Sequence, residues 1–264
     1  MDTILFGVGM FALGAATGLV NAALGIGGGV LMVPAFLTFV DWMDVNTAKG
    51  TSSFIITFVA LLNAWQMNRG AARNSFALIA SIAAGSIVGA AAAGQATARM
   101  TDTIVTWIFI SLLAFVGVRT FFLNPPHVLE AAVRTRRWTS LAIGVAAGIV
   151  GGGTGTGGGA VLVPLALWAG IVSNERVVAL SNSVMVATAA SAAIAHALAP
   201  STVDMPWTIG LVNFSLAPLV FLGAVCGAPF GVKLNAVLTL PRRKVVMGVL
   251  LLVIAARLVL RVAS

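Results

Sequence analysis

Two glycine-rich stretches in this 264-residue chain have residue types and spacing suited to binding a negative ion. The first reads GIGGG at 25–29 and the second reads GTGGG at 155–159. Each glycine weakens a helix interior by roughly 1 kcal/mol relative to alanine, so each stretch predicts a break in an apolar helix. A helix that restarts after a break presents free N–H groups and a partial positive charge, which favour anions. The candidate donors are the backbones of Gly27, Gly28, Gly29, Gly157, Gly158 and Gly159.

Hydroxyl and amide side chains near both stretches could donate further hydrogen bonds. Thr154 directly precedes the second stretch and Thr156 belongs to it, while AKGTSSF at 48–54 and ALSNSVM at 179–185 lie early in later helices. An alignment of these two segments on their first alanine pairs Thr51 and Ser52 with Asn182 and Ser183. The alternative role for such side chains is hydrogen bonding between helices, and close helix packing is the alternative role for the glycines.

Lys49 has an apolar counterpart, Leu180, in the same alignment. A cation at the bilayer centre costs about 2.5–3.5 kcal/mol and less when its side chain snorkels to the interface. The position near a helix start therefore favours snorkelling to the outer interface. The alternative is that Lys49 attracts anions.

Acidic residues occur only in a terminus or in predicted loops. Sites for Na⁺, metals or organic cations usually include a carboxylate, and proton pumps often use one. The acid-free core therefore favours an anion, although backbone carbonyls can bind Na⁺ unaided. The two histidines have no metal-ligand spacing, and we expect neither a metal nor a cofactor. The acidic residues are Asp2, Asp41, Asp44, Asp102, Glu130, Glu175 and Asp204.

The composition is that of a polytopic integral membrane protein. The chain is 59% hydrophobic and 8% charged with a mean hydropathy of +1.06, whereas soluble domains have about 25% charged residues. The apolar segments are continuous, which predicts an all-α protein in a lipid bilayer. Basic cytoplasmic loops explain the net charge of +8, so nucleic acid is not an expected partner.

The positioning elements come from a duplication. Residues 14–37 and 144–167 agree at eleven of 24 positions without a gap. The chain is therefore predicted to hold a first repeat at 1–124, a basic cytoplasmic linker at 125–137 and a second repeat at 138–264, in one membrane domain. Each repeat is predicted to contain a glycine-broken or re-entrant helical hairpin and three transmembrane helices, and two ordinary spans are the alternative to the hairpin.

Hydropathy places the helices of the two repeats in the same order. The first repeat has helices at about 3–23, 47–67, 75–98 and 103–123, and a short helix that runs from the glycine break to about 40. The second has helices at about 138–153, 175–198, 206–231 and 242–262, and a short helix that runs from the glycine break to about 171. Basic loops at Arg69 and Arg73, in the linker, and at 242–244 are expected inside. The repeats are then inverted and both termini lie outside.

The duplicated motifs resemble the sulfite exporter TauE/SafE family of membrane permeases. The resemblance rests on GLVNAALGIGGGVLMVPAFL with AKGTSS, and on GIVGGGTGTGGGAVLVPLAL with ALSNS. It implies transport of a small anion such as sulfite, an organosulfonate, another sulfur-containing anion or a carboxylate. It also implies a multi-pass protein of the cell inner membrane.

Inverted repeats with interrupted helices are a design of secondary transporters, in which substrate is held near the midplane. We therefore expect an anion permease that works by alternating access around the two glycine breaks. A cation permease is one alternative. A membrane enzyme or assembly factor is another, but the core lacks a catalytic constellation and no enzyme activity is expected. The sequence leaves homo-oligomerisation, the particular anion, the direction of transport and the coupling ion open.

Overall fold

The computed structural model describes residues 3–69, 74–122, 137–201 and 203–263, and this part of the chain is almost entirely helical. The all-α prediction is confirmed. A single two-stranded antiparallel hairpin interrupts the helices of the described ranges. The elements are α1 Thr3–Leu24, α2 Gly29–Phe39, α3 Val45–Met67, α4 Phe76–Thr97, α5 Asp102–Phe121, α6 Arg137–Thr154, α7 Gly159–Trp168, α8 Val177–Ala197, β1 Thr208–Ile209, β2 Val212–Asn213, α9 Ala217–Val237 and α10 Leu240–Ala263.

Both predicted helix breaks lie where the glycines stand. α1 ends one residue before Gly25, and α6 ends one residue before Gly155. The short helices that follow have 11 and 10 residues, whereas a transmembrane helix needs about 20. Among the described residues, six helices are long and apolar enough to cross a membrane: α1, α3, α4, α5, α8 and α9.

Both predicted boundaries of the segment at 206–231 are wrong, since its helix also continues to Val237. The segment expected to be helical from about 206 becomes helical only at Ala217, because residues 208–213 form the β1–β2 hairpin. The linker prediction falls almost wholly on residues 123–136, and Arg73 falls within 70–73, both outside the described residues. The division into two repeats therefore remains a prediction from the sequence.

Helices of the two halves pair closely through glycines. α1 runs beside α9 and α4 beside α6, so each pair takes one helix from each half. A Cβ at Gly223 would overlap the carbonyl oxygen of Phe11, and one at Gly227 would overlap that of Ala15. Small residues therefore let these backbones touch, as is common between helices in membranes.

Corresponding helices of the two halves run antiparallel. Gly50 at the start of α3 lies beside His196 at the end of α8, while Asn63 near the end of α3 bonds Asn182 near the start of α8. α5 and α10 are also antiparallel, because Gly117 lies against Leu252 while the later Phe121 lies against the earlier Gly248. If the two halves were related by a two-fold axis parallel to the helices, corresponding helices would instead run parallel. The observed packing is compatible with the predicted inverted repeat.

Candidate functional site

The two glycine stretches, here called tip 1 (residues 25–29) and tip 2 (residues 155–159), adopt backbone conformations that need glycine. Gly25 and Gly27 have φ of 69° and 90°, and Gly155, Gly157 and Gly158 have φ of 70°, 81° and 81°. A side chain in this left-handed region collides with its own backbone. The glycines therefore break the helices by turning the chain, as the sequence predicted.

The tips meet in the interior and touch reciprocally. A Cβ at Gly29 would overlap the carbonyl oxygen of Gly155, and a Cβ at Gly159 would overlap that of Gly25. A Cβ at Gly27 would overlap the oxygen of Thr156. Every residue of both tips is buried. The structure thus brings together the six predicted glycines, and it does so by direct contact of two backbones.

A serine holds each tip from the neighbouring long helix. Ser52 on α3 donates a hydrogen bond of 2.9 Å to the carbonyl oxygen of Gly155, and Ser181 on α8 donates one of 2.6 Å to that of Gly25. Both serines are fully buried. These equivalent contacts pair Ser52 with Ser181, so the alignment that paired it with Ser183 is wrong by two residues. Ser181 was not among the predicted site residues.

The first N–H groups of both short helices have no protein acceptor among the described residues. In tip 1, Gly27 donates to the side-chain oxygen of Asn21 at 3.2 Å. The N–H groups of the next three residues, 28–30, make no hydrogen bond, and those of residues 158–160 at tip 2 make none either. An unpaired buried N–H costs free energy, so such donors are rare unless a ligand or water satisfies them.

Tip 1 is pinned by three buried asparagines. Asn21 and Asn63 donate to the side-chain oxygen of Asn182 at 3.1 Å and 3.3 Å, and Asn182 donates to the carbonyl of Val178 at 3.0 Å. The carboxamide of Asn182 is therefore used by protein partners. Asn182 was predicted as a substrate donor, but its contacts connect α1, α3 and α8 around tip 1.

At tip 2, two hydroxyls take the place of the asparagines: Thr156 lies within the tip and Thr154 directly precedes it. Thr154 donates to the carbonyl of Val150 at 2.6 Å, and its oxygen lies 2.9 Å from that of Thr156. Because the Thr154 proton is committed to the carbonyl, Thr156 donates to Thr154. Rotation of its hydroxyl would give that proton to a ligand at tip 2 instead.

Two predicted residues face other parts of the fold. Thr51 accepts a 2.9 Å hydrogen bond from the N–H of Asn213 in β2. Ser183 is half-buried, donates to the carbonyl of Ala179 and accepts from Asn68 at the end of α3. The structure therefore does not bring Thr51 and Ser183 to the tips as hydrogen-bond donors.

Lys49 is buried beside tip 2. Its side chain is 1% exposed, and a Cβ on Gly155 would lie 2.6 Å from its Cα. The expectation that Lys49 snorkels to the outer interface is wrong, because the returning chain of tip 2 covers it. At the equivalent place beside tip 1, Gly25 lies against Val178. The structural counterpart of Lys49 is thus Val178. A second buried cation lies near tip 1, where the guanidinium of Arg243 on α10 donates to the carbonyl oxygen of Ala23 at 2.9 Å.

The β1–β2 hairpin covers this end of α3 and α8. The N–H of Leu211 donates to the carbonyl of His196 at 3.0 Å, and a Cβ on Gly50 would overlap the carbonyl oxygen of Leu211. With the Asn213 bond to Thr51, these contacts fix the hairpin over the side of tip 2 where Lys49 lies. The connection between α3 and α4, residues 68–75, is shorter than its counterpart at 198–216.

Acidic side chains lie away from the tips. Asp41, Glu175 and Asp204 are exposed, and Asp44 caps α3 by accepting from the N–H of Thr47 at 2.7 Å. Asp2 and Glu130 lie outside the described residues, as does the side chain of Asp102. Within the described ranges, no three His, Cys, Asp or Glu side chains cluster as metal ligands would.

A model of the family described as sulfite exporter TauE/SafE matches residues 10–258. The chain belongs to the sulfite exporter TauE/SafE family. A probable membrane transporter protein of Haemophilus influenzae is 24% identical over 251 residues, covering 92% of each chain. A probable membrane transporter protein of Methanocaldococcus jannaschii is 24% identical over 233 residues, covering 86% of this chain and 85% of the relative. No solved structure matches the chain significantly.

Family membership and the six apolar helices together make this TauE/SafE protein a multi-pass membrane protein of a transporter family. The match includes both tips and both short helices.

Proposed function

We propose that this protein is a permease of the cell inner membrane that moves a small oxyanion, organosulfonate or carboxylate by alternating access around the two tips. The observation that carries the proposal is the meeting of two helix N-termini, each with unpaired N–H groups, at the centre of the molecule. Helix N-termini bind anions because their N–H groups and dipoles both favour negative charge.

The charges around the tips support an anion over a cation. Lys49 is buried against Gly155, while no acidic side chain is buried among the described residues. Moving an anion to this place therefore adds an attraction, whereas a cation would be repelled by Lys49 and by both helix ends.

The close contact of the tips supports alternating access. Because Gly29 and Gly159 touch the opposite tip, an anion reaches the N–H groups only if the tips part. Inverted repeats would allow the tips to part toward one side or the other by rocking of the two halves. The contact seen here then corresponds to the closed intermediate of that cycle.

Flux into liposomes that contain the purified protein tests the proposal. Radiolabelled sulfite, thiosulfate, an organosulfonate and a carboxylate would be compared with Na⁺ and an organic cation. We expect saturable uptake of at least one anion and of neither cation. Uptake of a cation without any anion would refute the anion assignment.

A matched pair of threonine variants tests whether tip 2 takes part. Thr156→Val removes the hydroxyl at tip 2, and Thr120→Val removes a buried hydroxyl that bonds within α5. A hydrogen bond to a charged group is worth about 1.5–3 kcal/mol, so Thr156→Val should weaken anion binding by about tenfold or more. Equal flux and equal half-saturation in both variants would remove Thr156 from the site.

A further inference from the structure

His196 is a buried base at the end of α8 that has no part in the transport proposed above. Its side chain is fully buried, and Nε2 lies 3.1 Å from the carbonyl oxygen of Gly152 in α6. Its other nitrogen, Nδ1, is buried and has no hydrogen-bond partner among the described residues. Sequence reasoning saw only an isolated histidine, because the fold alone brings α6 and α3 to it.

The Gly152 contact determines where the ring carries its proton. A carbonyl oxygen only accepts hydrogen bonds, so Nε2 must carry the hydrogen and donate it. In the neutral ring Nδ1 then has a bare lone pair. Nδ1 is thus the atom that gains a proton when the ring becomes charged.

Lys49 is the charged side chain that acts on His196 electrostatically. Gly50, the next residue on α3, packs directly against the Cβ of His196. The other elements against His196 present uncharged groups there. The exposed charges nearest in sequence to those elements are Arg99 after α4 and Asp204 before β1. The uncharged groups that bond to His196 are the carbonyl oxygen of Gly152 in α6 and the N–H of Leu211 in the hairpin, while Gly94 and Gln95 of α4 contact the neighbouring Ala195.

Two positive charges buried this close repel each other strongly. A proton on Nδ1 is therefore unfavourable beside Lys49 unless a negative charge binds with it. An anion on the N–H groups of tip 2 would supply that charge, because Lys49 packs directly against Gly155. Anion binding and protonation of His196 then favour each other, which is a reciprocal thermodynamic coupling.

We propose that His196 is the proton-binding residue of this permease and that it takes up a proton at Nδ1 when an anion binds beside Lys49 at tip 2. The proton comes from water on the side where the tips open and leaves on the other side with the anion. No covalent bond of the anion changes. The inference rests on the proposed anion transport and names its coupling ion.

Permanently ionised anions give the sharpest test. Sulfite can carry its own proton, whereas an organosulfonate or thiosulfate cannot near neutral pH. Liposomes with a pH-sensitive dye in the lumen would be given the radiolabelled anion, and anion and proton entry would be counted together. We expect the lumen of wild-type liposomes to acidify in proportion to anion uptake.

His196→Gln retains an N–H donor for Gly152 but has no titratable nitrogen. We expect its proton-to-anion ratio to fall to near zero. Arg257→Gln, which removes an exposed cation of α10, should keep the wild-type ratio. Wild-type anion uptake without acidification would overturn the inference, as would an unchanged ratio in His196→Gln. Absence of any anion uptake by wild type would instead overturn the proposed function.

A measurement on the unmodified site covers the case in which His196→Gln does not fold. The chain has two histidines, so His127→Gln leaves a single imidazole for ¹⁵N NMR. On addition of the sulfonate, Nδ1 of His196 should change from a lone-pair to a protonated chemical shift. A lone-pair shift at saturating anion would contradict the proposal.

Discussion

The two serines that hold the tips give the most direct test of the site's architecture. Ser52→Ala leaves the carbonyl of Gly155 without its 2.9 Å hydrogen bond, and Ser181→Ala leaves that of Gly25 without its 2.6 Å bond. Both hydroxyls are fully buried, so water cannot replace them without rearrangement. A buried polar group left unpaired costs about 1–3 kcal/mol. Each variant should therefore lower the free energy of unfolding by about that amount.

Ser81→Ala provides the matched control. Ser81 is partly exposed on α4, and its hydroxyl donates to the carbonyl of Ala77 in its own helix at 2.7 Å. A surface change of this kind stays within about 0.5 kcal/mol. Denaturant unfolding in detergent micelles, followed by circular dichroism, would measure all three variants and the Ser52/Ser181 double variant.

The double variant tests whether the tips act as one unit. Ser52 Oγ lies within 2.7 Å of where a Cβ on Gly29 would be, so the serine bound to tip 2 also adjoins tip 1. For substitutions at neighbouring sites, the loss of unfolding free energy in the double variant is expected to differ from the sum of the single losses by about 0.5–3 kcal/mol. Strict additivity would contradict direct coupling of the tips. If Ser52→Ala and Ser181→Ala lost no more unfolding free energy than Ser81→Ala, the two serines would not hold the tips.

Three further variants test other parts of the structure. Gly158→Ala should cost more than the penalty of about 1–2 kcal/mol due to its φ of 81°, because its Cβ would also overlap the carbonyl oxygen of Ala147. Gly153→Ala, whose Cβ would meet only side chains at 3.5 Å or more, should leave stability unchanged or raise it by up to about 1 kcal/mol in the same unfolding assay. Thr51→Val should speed hydrogen exchange of the Asn213 amide, because it removes that amide's acceptor; unchanged exchange would contradict this contact. Asn182→Ala should lower the unfolding free energy by about 1–3 kcal/mol or more, since it strands two carboxamide donors, and an unchanged midpoint would show that the asparagine cluster is dispensable.

Hydropathy and glycine content were enough to predict most helices and both breaks. They failed at residues 208–213, where Ile209, Leu211 and Val212 are apolar and continue into the run of α9. Apolar content alone cannot separate a short strand pair from the first turns of a helix. Positive φ angles mark the hairpin itself: 63° at Trp207, just before β1, and 56° at Gly210, between the two strands. Hydropathy does not reveal either angle.

The site was predicted in its backbone and only partly in its side chains. The glycines and Ser52 were found because both repeats display them. Ser181 was missed because the alignment anchored on alanines was shifted, and a helix gives little local information about such a shift. The burial of Lys49 could not be seen at all, since it depends on tip 2 returning across α3 from a segment over 100 positions away in the chain.

The glycines of the tips have two physical roles, and Gly27 serves both, because its φ is 90° and its Cβ would overlap the carbonyl oxygen of Thr156. Gly29 and Gly159 carry no side chain because the opposite backbone occupies that space. Gly25, Gly155 and Gly158 must turn through left-handed conformations to restart the helix. Unshielded access for an anion is a consequence of both roles rather than their cause. The proposed anion transport would therefore require the tips, which pack tightly in this structure, to part when an anion binds.

The departures from symmetry define a direction through the molecule. Asn21 pins tip 1, and its counterpart at tip 2 is Gly151; Lys49 adjoins tip 2, and its counterpart at tip 1 is Val178. In tip 1 an amide oxygen already occupies the N–H of Gly27, so tip 1 has one fewer donor for an anion. Lys49 and His196 adjoin tip 2, whereas the buried guanidinium of Arg243 donates to the carbonyl oxygen of Ala23 near tip 1. Under the proposed function, tip 2 would therefore offer an anion one backbone donor more than tip 1, and the predicted inversion of the repeats would make this difference point across the membrane.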